Sequence, residues 1–259
     1  MADQPLFFGT GADAVTRLLT QPLNVVEIGV YRGPHHYSHT PMIRLQLELG
    51  RLEDWPTDRI EGFADRLLDL LPGLERHHCS RGRRGGFVER LHEGTWIGHV
   101  IEHVALELQT LAGDRVTRGK TRSVKGRPGV YNVMYAYRDE QVGRLAGRIA
   151  VELIESLLPD DLRGAVGLDA IEPLEEAFDF DSRLALLRER VRERSFGPTT
   201  QALIDEARRR GIPVMRLDDR SLVQLGFGRE QQRIRASLAG RTPIVAAHNP
   251  GGKALTKKK

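Results

Sequence analysis

The stretch Thr95–Ala112 constrains the fold more than any other part of the chain. Its apolar residues recur with a helical period, yet they do not keep to one side. At roughly 100° per residue with Ile97 at zero, Ile101, Val104, Leu108 and Leu111 fall within about 40° of that direction. Leu106 falls near ~180°, on the opposite side, with Trp96 beside it. A helix with apolar residues on both faces needs cover from two layers. The expected fold class is therefore α+β, an N-terminal sheet with packed helices.

The same helix carries His99, Glu102 and His103 at roughly 200°, 140° and 240°, one polar arc opposite the main stripe. Two imidazoles four residues apart on one helical face can grip a single cation, and a carboxylate beside them can take a proton from water. This is the H-x-x-E-H order, the inverse of H-E-x-x-H. Spacing alone fits a solvated outer face equally well; Leu106 and Trp96 argue for a covered one, where three polar groups need partners.

A catalytic metal site needs a third ligand. The next long amphipathic helix, Asp139–Leu158, offers Glu140, in line with Gly143 and Gly147, whose small size lets a neighbouring helix approach. The plain alternative is a carboxylate stabilised at a helix N-terminus. Glu107, one turn beyond His103, competes as a ligand or as a group bonded to one.

The 259 residues, 40% hydrophobic and 29% charged, have globular composition. No apolar run approaches the ~18 residues that span a bilayer, and Met1–Gly11 lacks the features of a secretory signal. No membrane partner is expected. Cys79 is the single cysteine, which rules out an internal disulfide framework and fits a reducing cytoplasm. A net charge of +4 does not by itself indicate nucleic acid, and the cationic loops lack stacking aromatics.

Val25–Tyr31 and the alternating Ile43, Leu45, Leu47, Leu49 predict strands. A helix carrying Phe63, Leu67, Leu68 and Leu71 closes at Pro72-Gly73, and a loop, Ser80–Gly86, then leads to the His helix. A basic loop, Gly113–Gly129, precedes a strand over Val130–Tyr137. Pro159–Pro173 has no period and marks a boundary, giving domains 1–160 and 161–259. Beyond it, helices Ser182–Arg194 and Thr199–Arg210, strand Val214–Leu217 and runs Arg233–Leu238 and Pro243–Ala247 form a small α/β unit.

Of His77-His78-Cys79, one residue can join a site, but neighbouring side chains diverge; Cys79 reads as a small packed residue rather than a nucleophile. His35, His36 and His39 lie in a Gly/Pro-rich turn. Arg81, Arg83 and Arg84 sit on flexible backbone suited to carboxylate binding, and Arg122 lies in the second cationic loop. No phosphate-binding glycine motif and no serine-nucleophile motif occurs.

Several segments resemble the N-terminal domain of the cyanophycin synthetase family. They are His77-His78-Cys79-Ser80, Gly85-Gly86-Phe87, the run from Glu93 to His99 and the run from Glu102 to Gln109. Gly129-Val130-Tyr131, Tyr137-Arg138-Asp139-Glu140, Gly197-Pro198-Thr199-Thr200 and the run from Ser221 to Gly228 extend the resemblance to about residue 238. It implies relatives that use ATP to build an aspartate backbone carrying arginine, with an ATP-grasp ligase and a Mur-ligase-like module after this domain. Residues 161–259 resemble the beginning of the ATP-grasp region, and Lys253-Ala254-Leu255-Thr256-Lys257 its body's first residues; no ATP site is expected within this sequence.

The resemblance also implies a domain that holds the polymer and, in many members, a metallopeptidase-like site that trims it into primers. Carried over, His99 and His103 are ligands of a divalent metal, zinc by preference, and Glu102 is the catalytic carboxylate. Glu140 is the third ligand by helix geometry, and Arg81, Arg83, Arg84, His78 and Arg122 are substrate-binding. The expected partners are cyanophycin or related Asp/Arg peptides, with a homo-oligomer allowed.

Overall fold

The computed structural model describes residues 21–236 and the backbone of 238 and 239. The expected run Pro243–Ala247, the Lys253–Lys257 segment and Met1–Gly11 lie outside the described residues. The chain divides into two compact units, residues 1–31 with 41–191 and residues 32–40 with 192–259.

The first unit is built on an antiparallel sheet of β1 (Asn24–Tyr31), β2 (Met42–Glu48), β3 (Gly119–Val124) and β4 (Arg127–Ala136), ordered β1-β2-β4-β3. The alternation in β2 seats Ile43, Leu45 and Leu47 in the core. Met42 and Gln46, on the opposite face, are buried too, so β2 is covered on both sides rather than half-buried.

The expected basic loop is in part a strand. In β3, Lys120↔Met134 and Arg122↔Asn132 pair with β4, and the hairpin turns through Gly126 at φ 78°. Charged residues on its open face hid the period of a strand whose other face turns inward.

Helices α1 (Phe63–Leu70), α2 (Gly86–Glu93), α3 (Ile97–Leu111) and α4 (Glu140–Leu157) pack in this unit. The short α2 falls where the sequence suggested only loop followed by the His helix. In α3, every residue from Val100 to Gln109 is buried. Ile101 and Leu108 join the core at 0% exposure and Leu106 at 1%. Each such burial removes apolar surface worth about 1.5–3 kcal/mol. The two-sided apolar pattern thus reports a sandwiched helix. Trp96 is not part of the cover; it is 43% exposed and stacks on Tyr131.

Asp139 caps α4, accepting from Gln141 N at 3.1 Å. The aperiodic segment after α4 does not end the unit. Leu162 and Ile171 enter the main core, as does Leu187 of α5 (Phe180–Arg194). Buried Glu152 accepts from Arg148 of its own helix and from Arg183 of α5, each at 3.0 Å. The division at residue 191 therefore differs from the expected one near 160 because these long-range contacts carry no local period.

The second unit holds α6 (Pro198–Arg209) and a small antiparallel sheet, β5 (Val214–Arg216), β6 (Leu222–Leu225), β7 (Gln232–Arg235) and β8 (Leu238–Ala239), in sequence order. Its core is Ile204, Val223 and Ile234. Helices beside two antiparallel sheets make the chain α+β. No helix among the described residues is long and apolar enough to cross a membrane.

Candidate functional site

Helix α3 turns His99 and His103 toward the segment that precedes α2. There, His77 has extended backbone and Cys79 adopts φ +53°, a left-handed conformation costly for a residue with a side chain. That bend sets the Cys79 sulfur 3.1 Å from His99 Nε2. Cys79, His99 and His103 each offer one donor atom, all within 4.8 Å of one another.

The hydrogen bonds define a consistent proton inventory. Thr95 Oγ1 lies 3.0 Å from His99 Nδ1. With that nitrogen donating, Nε2 keeps its lone pair toward Cys79. His103 Nδ1 meets His77 Nδ1 at 2.8 Å, and His77 Nε2 reaches Glu107 Oε2 at 3.0 Å. With His77 Nε2 donating to the Glu107 carboxyl, His77 Nδ1 accepts and His103 Nδ1 donates to it. His103 Nε2 is then free of protons as well. Glu107 thus acts one residue removed from the cluster, through His77, and a Cβ on Gly73 would overlap its Oε1.

Burial sets the electrostatics. Desolvation pushes His99 down to about 4, with the Arg90 charge adding to the effect. It pushes His103 well below the ordinary histidine range, helped by the neighbouring His99, His77 and Arg90. Both rings are neutral at pH 7 and available as lone-pair donors. Phe87 of α2 stacks on His103 at 4.0 Å between centroids and seals that side.

Glu102 sits at 5% exposure, its Oε1 3.9 Å from His103 Nε2. Burial raises its pKa to about 7, against the opposing pull of the Thr121 hydrogen bond, Arg122 and Arg90. Thr121 of β3 donates its hydroxyl to Oε2 at 2.6 Å. Gly119, two residues earlier, leaves room for this carboxyl; a Cβ there would overlap Oε1.

The sequence anticipated His99, Glu102, His103 and the neighbouring Glu107, and these do come together. Glu140 does not join them. The glycines that follow it admit aromatic side chains rather than the His helix. A Cβ on Gly143 would stand 2.7 Å from Tyr137 Cβ, and one on Gly147 would overlap the Tyr135 hydroxyl. Glu140 remains in the first turn of α4, behind its capping residue. The residue that stands beside the two histidines is Cys79, which sequence reading took for a packing residue. His77 and Cys79, two apart around one bend, both face the cluster, while His78 between them is exposed.

Among the chosen arginines, Arg81 pairs with Glu93, and Arg83 pairs with Glu89 at 2.8 Å. Arg84 is exposed, and so is Arg122 on β3, although Glu102 feels its charge. Sequence reading missed Arg90. It lies on α2, and its Nη1 donates to Ser80 Oγ at 3.0 Å and to Cys79 Sγ at 3.8 Å. An arginine three residues after Phe87, on the same face of a short helix, was the available signal.

The architecture is that of an α+β domain enclosing a His/Cys/Glu cluster on a sandwiched helix. Residues 44–159 match the family described as "Cyanophycin synthase-like N-terminal domain". Curated relatives extend the similarity. Cyanophycin synthetase of Geminocystis herdmanii is 41% identical over 238 residues, 91% of this chain and 26% of the relative. That of Crocosphaera subtropica is 41% identical over 237 residues, with the same shares. The chain spans about a quarter of the length of these relatives.

Proposed function

We propose that this chain is a cyanophycin-processing domain that hydrolyses Asp/Arg polymer chains into shorter ones with a divalent metal, zinc by preference, in the cytoplasm. The observation that carries the reading is the buried Glu102 carboxyl, 3.9 Å from His103, beside two imidazoles and a thiol whose donor atoms lie within 4.8 Å of one another.

The donor set fits the metal. Zinc takes thiolate and imidazole ligands at about 2.0–2.3 Å in tetrahedral array, so donors stand roughly 3.3–3.8 Å apart. The present atoms lie within 4.8 Å of each other, which small ring rotations would close. Cys79, His99 and His103 would hold the ion, with His77 and Glu107 fixing the His103 ring. When bound, it would polarise the scissile carbonyl and lower the pKa of water.

The chain's own residues supply the rest. Glu102 titrates near neutrality, so it can accept a proton from the attacking water and return it to the leaving amine. Thr121 holds Oε2 and leaves Oε1 to face the His103 ring. Phe87 keeps bulk water from that ring.

The test is metal analysis of purified chain, followed by incubation with cyanophycin with and without chelator. Shortened polymer is expected only from metal-loaded protein carrying Glu102. Cleavage indifferent to chelation and to Glu102→Gln would end this reading. A second reading, a module that only holds polymer for a synthetase, draws on the relatives' names and on the share of their length matched. It predicts salt-sensitive retention without cleavage.

A further inference from the structure

We infer that Arg90 holds a carboxylate of the peptide bound beside Cys79, His99 and His103, so that the site selects acidic peptides. The inference rests on the hydrolase reading and deepens it by naming the substrate's chemistry.

Phe87 and Arg90 are three residues apart on α2 and face the same cluster, the ring against His103 and the guanidinium toward Cys79. Arg90 Nη1 is anchored on Ser80 and Cys79. Among the described residues it has no carboxylate partner, whereas Arg81 and Arg83 in the adjacent loop are each ion-paired. Its Nε and Nη2 bond to nothing described, and neither is sealed from solvent.

A half-buried, anchored guanidinium with two free edges suits a carboxylate, which can take paired hydrogen bonds from the fork. Exposed Arg122, next to the Thr121 that bonds Glu102, adds a second cation for an acidic ligand. The carboxylate can come from an aspartyl side chain or from a chain terminus.

The test is titration calorimetry of the intact chain, metal-free and zinc-loaded, with short Asp/Arg peptides. One peptide has a free C-terminus, one is C-terminally amidated, and one has asparagine for aspartate. Wild-type protein is expected to prefer a carboxylate-bearing peptide by about tenfold or more, as for a charge-assisted hydrogen bond. The amidated and asparagine peptides tell which carboxylate is read.

Arg90→Gln should abolish the preference, Arg90→Lys keep part of it, and Arg229→Gln, at an exposed ion pair with Glu230, leave it intact. If Arg90→Gln does not fold, Ser80→Ala carries the test by freeing the guanidinium and weakening the preference. Preference unchanged in these variants overturns the inference. Cleavage is followed in parallel. Binding that tracks Arg90 without any cleavage would sink the hydrolase reading and leave the subsite standing; cleavage with no role for Arg90 does the reverse.

Discussion

Helix Ile97–Leu111 and the segment His77–Glu93 both deliver side chains to one cluster, by different means. The helix does so through regular geometry: residues four apart share a face, and burial on both sides fixes the axis. The segment uses an extended residue, a left-handed Cys79, left-handed glycines Gly82 and Gly85 and a short helix. A periodic element places its functional groups by spacing. An irregular one places them by backbone turns that only packing can hold. One wall of the site was therefore legible before folding, and the other was not.

Glu102→Gln attacks the regular wall and should have the largest effect. Proton transfer contributes about 10²–10⁴-fold to rate, so cleavage of cyanophycin should fall by that factor. Near-unchanged far-UV circular dichroism would locate the loss in chemistry.

The same substitution has a pH signature in metal-free protein. Glu102 has its folded pKa raised to about 7. Between the unfolded value near ~4.3 and 7, the folded state binds the extra proton, and stability falls as pH rises. Glu102→Gln should remove that fall, a gain on the order of a few kcal/mol at pH 8 and nothing at pH 4. His99, lowered to about 4, acts in the opposite sense, costing stability as pH falls from ~6.5 towards 4. Denaturant melts of both proteins across pH 4–8 read both slopes. A wild-type profile identical to that of the variant would contradict the buried carboxyl.

The irregular wall is broken by Cys79→Ser, which should weaken zinc binding while His99 and His103 stay in place. Glu107→Gln probes the support behind His103 and should cost about 10–100-fold in metal affinity, as is usual for groups bonded to a ligand. Competition with a chromogenic chelator measures both. If Cys79→Ser binds metal as tightly as wild type, only the helix contributes ligands and the comparison collapses.

Gly119→Ala lies beside Glu102 Oε1 and should destabilise by about 1–3 kcal/mol as the carboxyl or β3 shifts. The smallest effect is expected from Arg83→Ala. Its ion pair with Glu89 is exposed, and such pairs contribute about 0–1 kcal/mol. The contrast with Arg90 sets an arginine held in an exposed ion pair against one without a carboxylate partner among the described residues.

Much of the fold followed from local pattern. The alternating residues of β2 and the two-sided helix α3 pointed to a sheet with packed helices. Strand β3 escaped notice because Lys120 and Arg122 face outward and masked the inward Thr121 and Gly119. The end of the first unit escaped because Leu162, Ile171 and Leu187 reach the core from an aperiodic stretch. Glu140 was misplaced because small residues signal close approach without saying what approaches; here it is Tyr135 and Tyr137.

By itself, the sequence determined that His99, Glu102 and His103 share one arc of a covered helix, since helical spacing depends on covalent geometry alone. The tertiary structure decided the partners: Cys79 rather than Glu140, His77 between His103 and Glu107, Thr121 on Glu102, and Arg90 at the rim. These residues meet across distant stretches of chain through turns and packing, and no local period records such encounters.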